Sequence, residues 1–386
     1  MPSRSEGRPL PQRGRCLGGE DRRTRRPARC RDRGRTAGLM MGAGSMGAGS
    51  MGAGLMRAAV VRRRGGPEVI TIEEIPAPKL KSGAVRVAVA AAALNFPDLL
   101  IMAGTYQATV ELPYVPGCEF SGRVLDVADD VTTIAVGDVV FGLATHGALA
   151  DQIVIDACRV TAVPNDGVEP RSLAAYSVTY TTSYHALRTF ADLKPGEWLA
   201  VLGSAGGVGL AAVDIARALG ARPIAIARGQ DRLAQCMDAG AEATIDYSSE
   251  DVKVRLKEIT GAGVDVVIDP VGGPSAEQAL RAMRWGGRYV VVGFASGDIP
   301  RIPLNLVLLK GVHLMGFENR TVLQHLPDTA PAHRREILER YLAGEVRPRI
   351  GSVHTLDDVA AGLESIAARR IVGKVVVDVD LSVLSP

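Results

Sequence analysis

No stretch of this 386-residue chain approaches the ~18 uninterrupted apolar residues that a membrane-crossing helix needs, which speaks against a membrane protein. Cysteine is sparse. Cys16, Cys30, Cys118, Cys158 and Cys236 form no CxxC pair and are too few for a disulfide scaffold. Such usage fits a reduced, intracellular chain, and the expected compartment is the cytoplasm. The histidines His146, His185, His313, His325, His333 and His354 lie in separate segments without HxxxH spacing, and no GxSxG elbow occurs. Hydrolase chemistry is therefore unsupported.

Basic charge is also scarce where folding is expected. The chain holds 45 Lys and Arg against 42 Asp and Glu. Residues 1–36, however, take 12 of the arginines against only Glu6, Glu20, Asp21 and Asp32, so the remainder is mildly acidic. Nucleic-acid binding by the folded part would need clustered basic surface, and the excess sits instead in a segment too poor in apolar residues to fold. From Met41 the chain repeats MGAGS, MGAGS and MGAGL, where glycine and alanine leave little to bury. Residues 1–55 are accordingly expected to be a disordered leader, with organelle targeting and polyanion binding as the alternatives.

From Met56 the pattern changes to MRAAVV, VITIEEI and AVRVAVAAAAL, β-branched runs separated by Gly and Pro turns. Short strands continue to about residue 170 and suggest a mainly β domain. Apolar strands then alternate with amphipathic helices: WLAVLG, VGLAAVDIARALG, PIAIA, QDRLAQCMDAG, VDVVID and RYVVVGF. That alternation implies βαβ units and a parallel sheet. At the C-terminus AAGLESIAARR reads as a helix and GKVVVDV as a last strand.

The first strand meets its helix through GSAGGVG, Gly203 to Gly209. A turn this rich in glycine lets backbone approach a pyrophosphate, and the helix behind it presents N–H groups and a positive dipole end. Ser204, Ala205, Gly206, Gly207 and Val208 are its candidate contacts. The context matches a dinucleotide fingerprint, because a strand precedes the turn, a helix follows, and the second strand ends about 20 residues on. An acid at that point would bind the ribose hydroxyls of NAD; here Ala227 is followed by Arg228. A guanidinium grips a 2′-phosphate through charge-assisted bonds, so NADP(H) is favoured, with Arg232 one helical turn further as a lesser candidate.

These and further stretches carry a family resemblance. LNFPDLLIMAGTY, LPYVPGCEFSGRV, GDVVFG, TYTTSYHAL, GVDVVIDPVGG and WGGRYVVVGFASGDIPRIPLN, with the glycine turn and GKVVV, run in order through nearly the whole chain from Met56. In them the chain resembles the zinc-independent medium-chain dehydrogenases/reductases of the quinone oxidoreductase (zeta-crystallin-like) group. The resemblance implies an α/β fold, a GroES-like mainly β catalytic domain joined to a Rossmann doubly wound parallel sheet. The implied boundaries are 56–177 and 315–386 for the catalytic domain and 178–314 for the NADP-binding domain, with the site in the cleft between.

The same resemblance implies the chemistry. Asn95 stands where zinc enzymes of the superfamily have a cysteine and Cys118 where they have a histidine, and the structural four-cysteine lobe is missing, so no metal is expected. Asn95 resembles the active-site asparagine of quinone reductases. Tyr106 resembles the tyrosine that related enoyl-thioester reductases use as proton donor. Thr179, Thr182, Tyr247, Val271, Gly293, Phe294 and Ala295 are implied to lie along the coenzyme, whereas no role follows for Asn305. The expected activity is NADPH-dependent hydride transfer to a small-molecule quinone or enone. The alternatives are an enoyl-thioester (acryloyl-CoA-like) reductase and a non-catalytic NADPH-binding or RNA-binding crystallin-like protein. A homodimer is implied too, extended through the strand near 312–317.

Overall fold

The computed structural model describes residues 54–384 apart from residue 108 and residues 165–167. The expected leader thus lies outside the described residues except for Gly54 and Leu55, and Leu55 already pairs in the first strand.

The N-terminal part is built from β1 (Leu55–Val61), β2 (Ile70–Pro76), β3 (Ala84–Leu94), helix α1 (Phe96–Ala103), β4 (Glu119–Val127), β5 (Val139–Leu143), β6 (Gln152–Asp156) and β7 (Val160–Val163). Helix α2 (Pro170–Tyr184) follows and runs on into a π-helical turn, His185–Phe190. Next come β8 (Trp198–Leu202), α3 (Gly207–Ala218), β9 (Arg222–Ala227), α4 (Gln230–Asp238), β10 (Ala243–Asp246), α5 (Val252–Thr260), β11 (Val264–Asp269), α6 (Pro274–Ala282) and β12 (Met283–Val291). The chain closes with α7 (Leu304–Lys310), β13 (His313–Gly316), α8 (Asn319–His325), α9 (Thr329–Leu342), β14 (Ile350–Thr355), α10 (Val359–Ala367) and β15 (Lys374–Asp378).

Among the described residues β1 and β2 form a two-stranded antiparallel sheet, and two larger sheets organise the rest. One is six-stranded and parallel, in the order β10-β9-β8-β11-β12-β13. Counted from β8 this is the 3-2-1-4-5-6 order of a dinucleotide-binding sheet, whose switch point lies between β8 and β11. The other sheet orders β14-β15-β3-β4-β5-β7 with β6 also on β3, and is antiparallel save for the β14–β15 pair. It therefore joins strands from both ends of the chain, as the GroES-like half of the fold requires. β13 runs across the expected boundary at 314/315 and pairs within the parallel sheet.

Helix α2 lies between the sheets, and its sequence explains how. Ala174 and Ala175 pack on Ala91 and Ala93 of β3, where small side chains on both partners permit close approach. Its aromatic residues Tyr176, Tyr180 and Tyr184 face α3 and α9 in the second core. Glu169 caps its first turn by accepting the Arg171 and Ser172 N–H groups, with Pro170 at the position where a missing donor costs nothing. Among the described residues no helix is long and apolar enough to cross a membrane.

Candidate functional site

Four pieces of chain converge at the C-terminal ends of the parallel strands. The first is the glycine turn between β8 and α3. Gly203 has φ of 60°, and a Cβ on it would stand 2.3 Å from a Val271 methyl. A Cβ on Gly209 would meet the Gly203 carbonyl oxygen at 2.4 Å, so helix and turn touch only because that side chain is absent. Gly206 is the N-cap of α3 and no side chain caps it, which leaves the helix N-terminus suited to an anion. This cradle fits a dinucleotide diphosphate.

The predicted contacts divide around that turn. Gly206, Gly207 and Val208 form the helix entrance, and Ser183 fixes it by donating to the Val208 carbonyl at 2.8 Å. Thr179 lies against Gly207 through its methyl group, while its hydroxyl bonds the Ala175 carbonyl. Thr182 is buried in the same helix, its carbonyl taking the His185 N–H. Ser204 faces away: its N–H donates to Ile226 and its hydroxyl accepts the Cys236 thiol inside the core. Ala205 gives its carbonyl to the Gly373 N–H. Val271 leans over Gly203, held because Asp269 accepts the Val271 and Gly272 N–H groups.

The second piece is the outer end of β9. Arg228 follows Ala227 and is exposed; Gly229 turns with φ of 90° and donates to Asp246 at 3.1 Å. Hydrogen bonds from Ser248, first of all, and proximity to Arg228 hold the Asp246 carboxyl below its ordinary range. Tyr247 donates its N–H to Ala227 and exposes its ring beside that corner. Arg232 reaches both the Arg228 carbonyl and, at 2.6 Å, the Arg369 carbonyl. Arg369 in turn bonds the Ala295 carbonyl at 2.9 Å, so three arginines tie the β9 corner to the Gly293–Phe294–Ala295 loop. The sequence reading overlooked Arg369; the paired arginines just before GKVVV were the available signal.

The third piece is a buried polar cluster at the start of α1. Asn95, at its N-cap, donates Nδ2 to Glu119 at 2.9 Å and to the Cys118 thiol at 3.5 Å, and its Oδ1 accepts the Lys374 ammonium at 2.6 Å. Lys374 also donates to Glu119 at 2.5 Å and to the Leu94 carbonyl at 3.0 Å, and the pair is only 4% and 0% exposed. The other Glu119 oxygen accepts the Val178 N–H from α2. Asp98 takes the Asn95 N–H at 2.7 Å, and burial pushes its carboxyl up to about 6. Burial likewise pushes the Cys118 thiol up, which keeps it protonated and weakly nucleophilic. Glu119, Lys374 and Asp98 were missed, although a charge inside GCEFSG and another opening GKVVV are out of place in apolar strands.

The fourth piece is Tyr106, half-buried beyond α1. The Arg320 guanidinium lies 5.0 Å from its ring centre, a cation–π contact that brings the start of α8 over it. Burial pushes the phenol up, against the pull of Arg320. Its ring packs against the core that holds Ile101 and Met102 of α1. Asn319 donates to Thr181 at 3.3 Å and joins α8 to α2 there. Asn305 lies exposed on α7, outside this cluster. Among the described residues no group of three His, Cys, Asp or Glu is arranged to hold a metal ion.

Known proteins share this architecture. The family described as "Alcohol dehydrogenase GroES-like domain" matches residues 81–171, and that described as "Zinc-binding dehydrogenase" matches residues 207–330. The chain is 37% identical over 309 residues to quinone oxidoreductase-like protein 2 of Bos taurus, covering 79% of this chain and 88% of that one. To the quinone oxidoreductase-like protein 2 homolog of Nematostella vectensis it is 35% identical over 317 residues, covering 81% and 86%. Among solved structures, the quinone oxidoreductase of Thermus thermophilus, described together with its complex with NADPH, superposes with a TM-score of 0.72 at 30% identity, covering 84% of this chain and all of that one. Sheet order, glycine turn and sequence likeness converge: the chain is an oxidoreductase that belongs to the medium-chain dehydrogenase/reductase family, in its quinone oxidoreductase-like group.

Proposed function

We propose that the protein is an NADPH-dependent reductase that passes hydride to quinones or related conjugated carbonyl acceptors without a metal. NADP(H) as the coenzyme is supported by the glycine cradle, by Arg228, Arg232 and Arg369 gathered at the ribose end of β9, and by the NADPH complex of the Thermus relative. When bound, the reduced nicotinamide supplies the hydride. The chain's own residues bind and orient: Gly206 and Gly207 receive the diphosphate, Val271 and the 293–295 loop line the nicotinamide end, and Thr179 closes the side towards α2.

The single observation that carries the metal-free reading is Lys374. Its ammonium already sits 2.6 Å from Asn95 Oδ1 and 2.5 Å from Glu119, at the point where a catalytic metal would have to be held. A buried cation there opposes a second, divalent one. Polarisation of the acceptor then falls to hydrogen-bond donors, and the Tyr106 phenol, pushed above its usual value, keeps its proton at neutral pH and can give it up to the product.

Quinone and enone acceptors make different demands on Tyr106. The oxygens of a reduced quinone can be protonated by water, whereas a saturated carbonyl product needs a proton on the carbon next to the carbonyl. The test is NADPH and NADH oxidation followed at 340 nm against quinones, enones and a crotonyl thioester, for the wild type and Tyr106→Phe. Quinone turnover that survives in the variant while enone turnover falls supports both the activity and the proton-donor role. No turnover of quinone or enone by the wild type refutes the activity.

A homodimer belongs to the same reading. β13 pairs only with β12 among the described strands, and Trp285 of β12 with Leu304, Leu308 and Leu309 of α7, the helix that leads into β13, are each at least 71% exposed. Exposed apolar side chains on the elements next to such an edge strand fit a second copy of the chain continuing the sheet. Sedimentation at micromolar concentration should give a dimer; a monomer throughout removes that part of the proposal.

A further inference from the structure

Lys374 opens β15 with its aliphatic stem passing beneath the glycine turn. A Cβ on Gly207 would stand 3.2 Å from Lys374 Cδ. The preceding residue, Gly373, bridges to Gly206 and donates its N–H to the Ala205 carbonyl at 3.1 Å. A buried ammonium thus lies within one side-chain length of the N-terminus of α3. All three of its protons are directed away from that turn, to Asn95 Oδ1, Glu119 and the Leu94 carbonyl.

That arrangement holds the Asn95 amide at both ends. Its oxygen accepts from Lys374 and its nitrogen donates to Glu119, so neither is offered to an acceptor in the cleft. Of the three Lys374 acceptors, Leu94 O belongs to the β3 backbone and Glu119 is a charged partner. Asn95 Oδ1 is the neutral acceptor on a rotatable side chain, and so the one most readily given up. Glu119 is not left bare by such a change, because its second oxygen keeps the Val178 N–H at 2.7 Å.

We propose that Lys374 is a positioning residue that couples coenzyme occupancy to Asn95. An anionic diphosphate seated on the Gly206–Gly207 turn draws one ammonium proton away from Asn95 Oδ1, and the released amide turns towards the acceptor. Charge drives the exchange: a charge-assisted bond to phosphate replaces a bond to a neutral amide, in an interior where such bonds are strengthened. This rests on the proposed reductase activity, with Asn95 taken as the active-site asparagine it resembles.

The test separates binding from turnover. Lys374→Met alone leaves Glu119 buried without its cation and can fail to fold, so it is read beside Lys374→Met/Glu119→Gln, which removes both charges. Calorimetry compares NADPH with adenosine 2′-monophosphate, a probe that lacks the diphosphate. The double variant should bind NADPH about tenfold to a hundredfold more weakly and adenosine 2′-monophosphate as the wild type does. In 15N-asparagine-labelled wild-type protein, the Asn95 side-chain signal, assigned by its loss in Asn95→Ser, should shift with NADPH and not with the monophosphate probe. Equal weakening of both probes, unchanged NADPH affinity, or an Asn95 signal indifferent to NADPH overturns the coupling. Lack of turnover with every quinone and enone would instead refute the proposed activity and leave these binding readouts standing.

Discussion

The Tyr289 hydroxyl donates to Asp269 Oδ2 at 2.7 Å, joining neighbouring parallel strands beneath the switch point of the sheet. The other Asp269 oxygen holds the N–H groups of Val271 and Gly272, so one carboxylate fixes the loop that leans on the glycine turn. Tyr289→Phe removes the tether and leaves that oxygen buried without a proton donor. The expected loss is about 1.5–3 kcal/mol of folding stability, the usual range for a bond to a charged group. It should show as a lower midpoint in urea with an unchanged slope. NADPH should also bind more weakly, because Val271 is no longer held in place. Unchanged NADPH affinity would mean that the loop keeps its position without Tyr289.

Gly206 and Gly209 stand three residues apart and should respond differently to the same methyl group. A Cβ on Gly209 meets the Gly203 carbonyl at 2.4 Å, a backbone atom that cannot yield without moving the helix. A Cβ on Gly206 meets nothing closer than 3.4 Å, and its φ of −79° is open to alanine. Gly206→Ala should therefore melt like the wild type while placing its methyl group where the diphosphate must approach. Gly209→Ala should lose stability and coenzyme binding together. Thermal melts beside NADPH titrations distinguish the two, and equal melting temperatures would show that α3 can shift to accommodate the clash.

Much of this site was legible in the sequence because its signals are local. The glycine turn, the β–α alternation and the arginine after Ala227 lie along one stretch of chain, and the parallel sheet follows from them. The Asn95 cluster is different. Asn95, Glu119 and Lys374 come from three strands or strand ends up to 279 residues apart, and only the antiparallel sheet that joins β15 to β3 and β3 to β4 brings them together. Ser204 shows the converse: inside a phosphate-binding pattern it looks like a contact, but the turn that exposes Gly206 points Ser204 into the core against Cys236. Periodicity assigns faces to strands and helices; inside a tight turn it assigns none.

Arg232 and Arg369 spend their side-chain bonds on backbone carbonyls at the ribose end of the site, and Asp246 is the carboxylate that lies close to Arg228. Arg228→Ala should weaken NADPH about tenfold, and Arg228→Ala/Arg369→Ala about a hundredfold, at one charge-assisted bond for each guanidinium. NADH, which lacks the 2′-phosphate, should bind either variant as it binds the wild type. Parallel losses for both coenzymes would place these arginines away from the phosphate. The comparison belongs at fixed ionic strength, since exposed charges are screened by salt.

Asp98 and His185 make opposite contributions to stability on the acid side. Burial, only partly offset by the Asn95 N–H and Lys374, raises the Asp98 carboxyl from 3.8 to about 6, so the fold prefers its neutral form. Its contribution is complete below pH 3.8 and is lost as pH rises through about 6, amounting to about 3 kcal/mol at ~1.4 kcal/mol per unit. His185 is lowered from 6.5 to about 4 by burial and, secondarily, by Arg334 and His333, so protonation favours the unfolded chain. Its contribution is complete above pH 6.5 and is lost as pH falls towards 4, again by about 3 kcal/mol. Between pH 4 and 6 the two slopes largely cancel in the wild type. Asp98→Asn, which can still accept the Asn95 N–H, should steepen the loss of stability on acidification, and His185→Gln should flatten it. Urea unfolding at pH 4, 5, 6 and 7 reads both slopes, and curves running parallel to the wild type would remove these two groups from the acid response.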